Sequence, residues 1–150
     1  MTVKFKAVVI DNQSDKFTRD IKEIDSNHLK DGNVLIKIDY SSLNYKDALI
    51  LKDGGKIVRK FPFVPGIDFS GKIVESGDDK FKKNENVICT GFRVGEMYYG
   101  GFSQYAKVDS NFLIKNPKDI DSEKSMMLGT AGFTALQCSF AIKAREELLL

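Results

Sequence analysis

Histidine and cysteine are scarce in this chain of 150 residues. His28 is the single histidine, and the two cysteines, Cys89 and Cys138, lie far apart in the sequence with no histidine nearby. Zinc sites need several such ligands at short, regular spacing, so none can be assembled here from Cys and His. Two isolated thiols favour a reducing compartment. We expect both cysteines to be buried as small apolar side chains and His28 to lie on a surface loop.

The sequence also has no excess of charge of one sign and no strongly apolar run. Its 23 basic and 21 acidic residues are mixed along the chain and leave a net charge of +2, which favours neither nucleic acid nor a membrane surface as a partner. Residues 125–142 carry no charge, but seven of those 18 are Gly, Ser, Thr or Gln. A buried helix is therefore favoured over a membrane span. Residues 3–10 are typical of a strand rather than of a secretory leader, and we expect a cytoplasmic protein.

Short alternating segments occupy most of the chain and predict a mainly β, α+β fold with a partly barrelled body. In the segment 34–42 we expect one buried face. Strands are predicted at residues 3–10, 17–24, 34–42, 67–73, 85–90, 102–108 and 112–115.

Helices are predicted in two places. A short helix over residues 45–51 follows Asn44, and Asp47 stands three residues after Asn44, which is the spacing of a capping box. After residue 121 a short helix ends near Leu128, Gly129 breaks it, and a second helix runs from about Ala131. From the residues alone, pure capping and a role in a site both remain open for Asn44 and Asp47.

Asp68 begins a predicted strand, directly after the tight corner formed by Pro65 and Gly66. A carboxylate there is well placed to line a cleft, but it is costly to bury without a partner. The residues alone therefore favour an ordinary turn with a solvated Asp68.

Four segments carry a resemblance to a known family: SSLNYKD at 41–47, FVPGIDFSG at 63–71, GGFSQY at 100–105 and GTAGFTA at 129–135. In this order and at these distances they resemble the medium-chain dehydrogenase/reductase superfamily. Within it, the chain is most similar to the zinc-free quinone-oxidoreductase-like branch that contains NADPH-dependent acryloyl-CoA reductases.

This resemblance implies a GroES-like, partly open β-barrel domain over residues 1–120. Residues 121–150 would be connecting helices that lead toward an absent Rossmann domain. The Gly-rich phosphate-binding turn of that domain is missing, because the glycines of residues 129–132 do not follow a predicted strand. Chains of the family are longer, so we expect an N-terminal fragment, a truncated reading frame, or a divergent tail after about Lys143. The family implies a homodimer for the parent protein.

The resemblance also implies chemistry without a metal. Zinc-dependent members place a His and a Glu where this chain has Ile67 and Asp68. Without a Lewis acid, reduction by NADPH of the C=C bond of an enoyl thioester such as acryloyl-CoA is favoured over alcohol oxidation. A quinone is the alternative small-molecule substrate. A GroES-like module that binds a partner or assembles without catalysing is the alternative from another class.

By the same resemblance, Asn44, Tyr45 and Asp68 are the predicted catalytic residues. Tyr45 is also predicted to contact NADPH, together with Thr130 and Thr134, and its phenol could donate a proton. The residue types alone are equally compatible with a half-buried packing role for Tyr45 and with helix packing for the two threonines.

Asp47 and Arg59 are placed in the predicted substrate pocket. Lys56, Arg59 and Lys60 could meet the phosphates of a CoA-linked substrate, or form a solvated basic loop.

Overall fold

The computed structural model describes residues 2–13 and 16–147, which form two antiparallel sheets and two α-helices. The strand-rich class is confirmed, although the described strands form two sheets rather than one closed barrel. The helices are α1 (Tyr45–Asp53) and α2 (Ser122–Glu147). The strands are β1 (Lys4–Gln13), β2 (Lys16–Asp25), β3 (Val34–Ser41), β4 (Asp68–Ser76), β5 (Asn86–Thr90), β6 (Tyr105–Val108) and β7 (Leu113–Lys115).

Strands β1 and β2 pair only with each other, and the other five form a sheet in the order β6-β3-β4-β5-β7. Isolated bridges join β1 to the rest of the fold at Ser103 and at Phe63. The N–H of Val8 also donates to the carbonyl of Phe102 at 2.8 Å. The hairpin is therefore tied to the loops that flank the larger sheet.

The core continues across both faces of β3. Val34 and Ile36 lie in the main apolar cluster with Phe69, whereas Leu35 lies in a second cluster with Phe5 of β1. The predicted single buried face of this strand is therefore wrong at Leu35, because the β1–β2 hairpin covers the opposite side. Each such buried side chain contributes about 1.5–3 kcal/mol of burial free energy.

Helix α1 ends at Gly54, which adopts φ 80° and donates its N–H to the carbonyl of Ile50 at 2.8 Å. A left-handed glycine at this position is a common helix C-cap. Ile50 is fully buried against Ile10 and Phe63 in a third cluster. These contacts fix α1 beside strand β1 and the loop that carries Phe63, with Asn44 at its N-terminus.

The predicted break at Gly129 is confirmed. Its φ of 46° and ψ of −156° are not helical, and they divide α2 into a first half before Gly129 and a second half after it. Asp121 caps the first half by accepting from the N–H of Lys124 at 2.8 Å. Met126 in this half is buried.

The second half of α2 is exposed, so the prediction of a buried helix is wrong there. Phe133, Leu136 and Phe140 are 58%, 56% and 62% exposed. By length and composition alone, the stretch Ser122–Lys143 would be long and apolar enough to cross a membrane. Residues 148–150, which follow this helix, lie outside the described residues.

The two cysteines have different environments. Cys89 is fully buried in the main cluster, as predicted, whereas Cys138 is exposed on the second half of α2 and its predicted burial is wrong. Burial raises the pKa of the Cys89 thiol to about 12, and the nearby Asp68 carboxylate adds to this shift. The thiolate is the reactive form, so Cys89 is inert in the folded chain.

We expect one thiol per chain to react rapidly with Ellman's reagent near pH 8, and the second to react only after unfolding. Cys138→Ser should abolish the rapid reaction, and Cys89→Ser should leave it unchanged. Two rapidly reacting thiols in the native chain would contradict the burial of Cys89.

Candidate functional site

Asp68 is fully buried at the first position of β4. The expectation of a solvated aspartate at this turn is therefore wrong. The corner before it depends on Gly66, which adopts φ 107° and where a Cβ would lie 2.5 Å from the backbone nitrogen of Phe102. That nitrogen donates to the carbonyl of Pro65 at 2.9 Å. The Pro-Gly and Gly-Gly-Phe motifs thus pack backbone against backbone beside Asp68.

Four hydrogen bonds reach the Asp68 carboxylate. Oδ2 accepts from Ser42 Oγ at 2.9 Å, from Asn44 Nδ2 at 3.0 Å and from the backbone N–H of Thr130 at 2.8 Å. Oδ1 accepts from Thr130 Oγ1 at 2.6 Å. Hydrogen bonds to an ionised group are stronger than neutral ones, and together they offset the cost of burying this charge. We call Ser42, Asn44, Asp68 and Thr130 the Asp68 network.

Asp47 holds the backbone on either side of the Asp68 network by accepting two hydrogen bonds. Its Oδ2 accepts from the backbone N–H of Asn44 at 2.8 Å, and its Oδ1 accepts from the N–H of Ile67 at 3.0 Å. Asp47 is fully buried, and burial raises the pKa of its carboxyl even though these bonds act in the opposite direction. Its side chain therefore has no exposed surface with which to line a substrate pocket, the role predicted from the sequence. Instead, Asp47 positions the backbone of Asn44 and of Ile67.

Asn44 takes part both in the cap of α1 and in the Asp68 network, and its predicted catalytic role stays a prediction. Its backbone takes part in the cap of α1 through Asp47, while its side-chain amide donates to Asp68. The Asp68 side chain is fully buried and contacts Ser42, Asn44 and Thr130. Its predicted catalytic role stays a prediction, and in this conformation it could act only through these neighbours.

Gly129 and Ser42 are the residues of this site that sequence reasoning missed. A Cβ at Gly129 would lie 2.8 Å from Asp68 Oδ2 and 3.0 Å from Ser42 Oγ. Gly129 therefore allows the kink and also gives the carboxylate room to reach Thr130. The sequence showed the helix break, but no pattern showed what the break approaches.

The predicted cofactor-contacting residues lie on the exposed side of this network. Tyr45 follows Asn44 at the start of α1 and is 81% exposed, so the half-buried alternative is wrong. Thr134 lies one turn after Thr130 and is also exposed, and its Oγ1 donates to the carbonyl of Thr130 at 2.8 Å. A pocket of about 400 Å³ opens between the end of β3 and mainly the first half of α2, with Ser42 and Asn44 in its lining. Among the described residues, Tyr45, Thr130 and Thr134 do not line this pocket.

Arg59 does not join this group. It lines a separate pocket of about 250 Å³ together with Lys60 and Arg93. The sequence placed Asp47 and Arg59 in one substrate pocket, but in the fold one is buried beside the Asp68 network and the other is exposed elsewhere.

Within residues 2–13 and 16–147, no group of three or more His, Cys, Asp or Glu side chains is placed to hold a metal ion. Asp68 has both oxygens engaged by donors of the chain, and its neighbour Ile67 has no ligating atom.

Comparison with known proteins gives a family match over residues 30–118, to the alcohol dehydrogenase GroES-like domain. The chain is 40% identical over 138 residues to a probable acrylyl-CoA reductase of Escherichia coli. The alignment covers 92% of this chain and 43% of that protein. It is 39% identical over 135 residues to the putative quinone oxidoreductase YhfP of Bacillus subtilis, which covers 90% of this chain and 41% of that protein.

Solved structures agree with the fold. The yhdH oxidoreductase of Salmonella enterica, in complex with NADP, superposes with a TM-score of 0.87 at 38% identity, over 93% of this chain and 43% of that one. The Bacillus subtilis protein, with NAD bound, superposes with a TM-score of 0.89 at 37% identity, over 95% of this chain and 43% of that one. The chain thus spans less than half the length of these relatives.

We expect Gly129→Ala to lower the free energy of unfolding by about 2 kcal/mol or more, because alanine resists this backbone conformation and its Cβ would press on Asp68. Gly132→Ala is the matched control in the same helix. A Cβ at Gly132 would lie 3.3 Å from the Cβ of the exposed Leu128, so we expect a change within about 1 kcal/mol in either direction. Urea titration of both variants measures the difference, and equal stability of the two would contradict the role given to Gly129.

Proposed function

This chain belongs to the alcohol dehydrogenase GroES-like domain family, within the medium-chain dehydrogenase/reductase superfamily, and we propose that it is the substrate-side part of a nicotinamide-dependent oxidoreductase. The catalytic domain would span residues 1–120, and residues 121–150 would connect it to a nucleotide-binding part. The exposed apolar second half of α2 supports this division, since such a surface is usually covered by a partner or another domain.

The reaction proposed is reduction of the C=C bond of an enoyl thioester such as acryloyl-CoA, with NADPH as the reductant. The names of the similar proteins, and the NADP bound to one of them, support this class of reaction. The bound cofactor would supply a hydride to the β-carbon. The chain must then hold the thioester, stabilise negative charge on its oxygen and provide a proton for the α-carbon.

One observation carries the proposal: the buried Asp68 network fixes the start of α1 and of the second half of α2 around exposed polar side chains. The proposed proton donor is Tyr45, because it is exposed at the start of α1. Its phenol would lose the O–H proton to the α-carbon and recover one from solvent. Asn44, the preceding residue, is held in position by Asp47 and Asp68.

Tyr45, Thr130 and Thr134 are the residues of this chain that would contact the nicotinamide end of the cofactor. Thr130 is fixed by two bonds to Asp68, and Thr134 presents an exposed hydroxyl one turn later. Each hydroxyl already donates its single hydrogen, Thr130 to Asp68 and Thr134 to the Thr130 carbonyl, so both are left as acceptors. As acceptors they suit the amide N–H groups of the nicotinamide carboxamide. We propose that the site works without zinc, since the engaged Asp68 carboxylate and the apolar Ile67 occupy the positions where a ligand would be needed.

Two alternatives remain as candidates. Similarity to a putative quinone oxidoreductase favours a quinone as the hydride acceptor. The exposed apolar side chains on the second half of α2 favour a non-catalytic binding or assembly module. Comparing acryloyl-CoA with a soluble quinone as hydride acceptor tests the first alternative. Titrating NADPH into the chain alone tests the second alternative. A chain that does not bind NADPH, and that does not support turnover when it is part of a complete protein, would be a non-catalytic module.

The test is a chimera in which this chain replaces the matching segment of the Escherichia coli relative. We expect acryloyl-CoA-dependent oxidation of NADPH, and we expect Tyr45→Phe to lower kcat by about 10- to 100-fold through loss of the proton donor. Absorbance of NADPH follows the reaction.

Tyr105→Phe is the matched control, because Tyr105 packs against Phe5 on the other side of the fold, with ring centroids 5.4 Å apart. It should leave kcat unchanged. Wild-type turnover by Tyr45→Phe would remove Tyr45 from the mechanism. A folded chimera that reduces neither acceptor, while the unmodified relative does, would contradict the proposed function.

A further inference from the structure

A second pocket, distinct from the Asp68 network, lies between the loop after α1 and the turn that follows β5. Its volume is about 250 Å³, which is small for a whole cofactor but sufficient for one end of a longer molecule. The cations Arg59, Lys60 and Arg93 line it with a single carboxylate, that of Glu96, which leaves an excess of two positive charges.

Glu96 already has partners of its own. Its Oε1 accepts from Lys46 Nζ at 2.7 Å, and its Oε2 lies 3.6 Å from Arg93 Nε. Arg93 thus forms an ion pair with Glu96 at a distance too long for a hydrogen bond, and its side chain is 62% exposed. An exposed pair of this kind is weak, so an incoming phosphate can compete for the guanidinium, whose planar fork matches the oxygens of a phosphate ester.

The turn that carries Arg93 is held in an unusual backbone conformation. Phe92 and Arg93 adopt φ of 54° and 62°, a left-handed backbone conformation that side-chain-bearing residues rarely adopt. The Phe92 ring stacks on Phe112 with centroids 5.0 Å apart. The carbonyl of Arg93 accepts from the N–H of Glu96 at 3.1 Å and of Met97 at 2.9 Å. These contacts hold the strained turn as a fixed wall of the pocket.

The rest of the lining is apolar and comes from Ile57, Phe63 and Met97. A pocket that combines cations with an apolar wall suits a ligand that combines phosphates with a flat ring, and phosphorylated adenosine has both. Lys46, which bonds Glu96, directly follows Tyr45 in α1. A substrate with one end here therefore extends toward the exposed face of the Asp68 network.

We propose that this pocket binds the 3′-phosphorylated adenosine end of coenzyme A, and that Arg93 is its main phosphate-binding residue. The inference rests on the proposed function for the identity of the thioester. NADPH also carries a phosphorylated adenosine, with its phosphate on the 2′ oxygen. The substrate is favoured as the source, because no residue of α2, the element that leads toward the proposed nucleotide-binding part, lines the pocket.

The test uses this chain and two nucleotides, adenosine 3′,5′-bisphosphate and adenosine 2′,5′-bisphosphate, titrated by calorimetry at low ionic strength. We expect saturable binding of the 3′,5′ isomer that weakens with added salt, and binding of the 2′,5′ isomer that is at least about tenfold weaker. Arg93→Gln should weaken binding of the 3′,5′ isomer by about tenfold or more. Arg93→Lys should fall between this variant and the wild type, since it keeps the charge but loses the fork.

Lys83→Gln is the control, because it removes the same charge from an exposed position outside the pocket. It should change affinity less than twofold. No saturable binding, an equal loss in the Lys83 variant, or preference for the 2′,5′ isomer would each overturn the assignment. If the nucleotide binds but the chimera does not reduce acryloyl-CoA, the proposed reaction is wrong and the assignment of the pocket is kept. If the chimera reduces acryloyl-CoA but the nucleotide does not bind, only the assignment of the pocket is wrong.

Discussion

The buried carboxylate of Asp68 is the contact on which this structure depends. It lies at the first residue of the central strand β4, and its four donors come from the end of β3, the start of α1 and the kink of α2. Burying a charged carboxylate is costly unless its oxygens accept hydrogen bonds, so each of the four donors must be in place. One side chain thereby fixes the relative positions of a sheet and two helices.

This constraint explains why the four sequence motifs occur together. The Pro-Gly corner places Asp68, and the Gly-Gly-Phe segment packs on that corner at backbone distance. The segment around Asn44 supplies two donors, and the segment after Gly129 supplies the other two from Thr130. Most of these residues thus have a structural reason to be present. The exposed Tyr45 and Thr134 have none of this kind, which makes them the better candidates for contact with a ligand.

Local patterns in the sequence predicted the features that depend on interactions between residues close together in the chain. Alternation indicated the strands, Asn44 and Asp47 indicated the start of α1, and Gly129 indicated the break in α2. The errors concern contacts between distant segments. Burial of Asp68 depends on donors up to 62 residues away, and exposure of Cys138 depends on a surface with no covering element among the described residues. Likewise, Arg93 became a candidate only when the fold placed it beside Arg59.

The most direct test of the central claim is hydrogen exchange at the Thr130 amide, whose N–H donates to Asp68. In Asp68→Asn the amide group cannot accept as the carboxylate does, and a bond to a charged acceptor contributes about 1.5–3 kcal/mol. The Val87 amide, in β5 of the core sheet, reports any general loss of stability. The account predicts that exchange at Thr130 accelerates by at least about tenfold beyond the change at Val87. Equal changes at the two amides would contradict it.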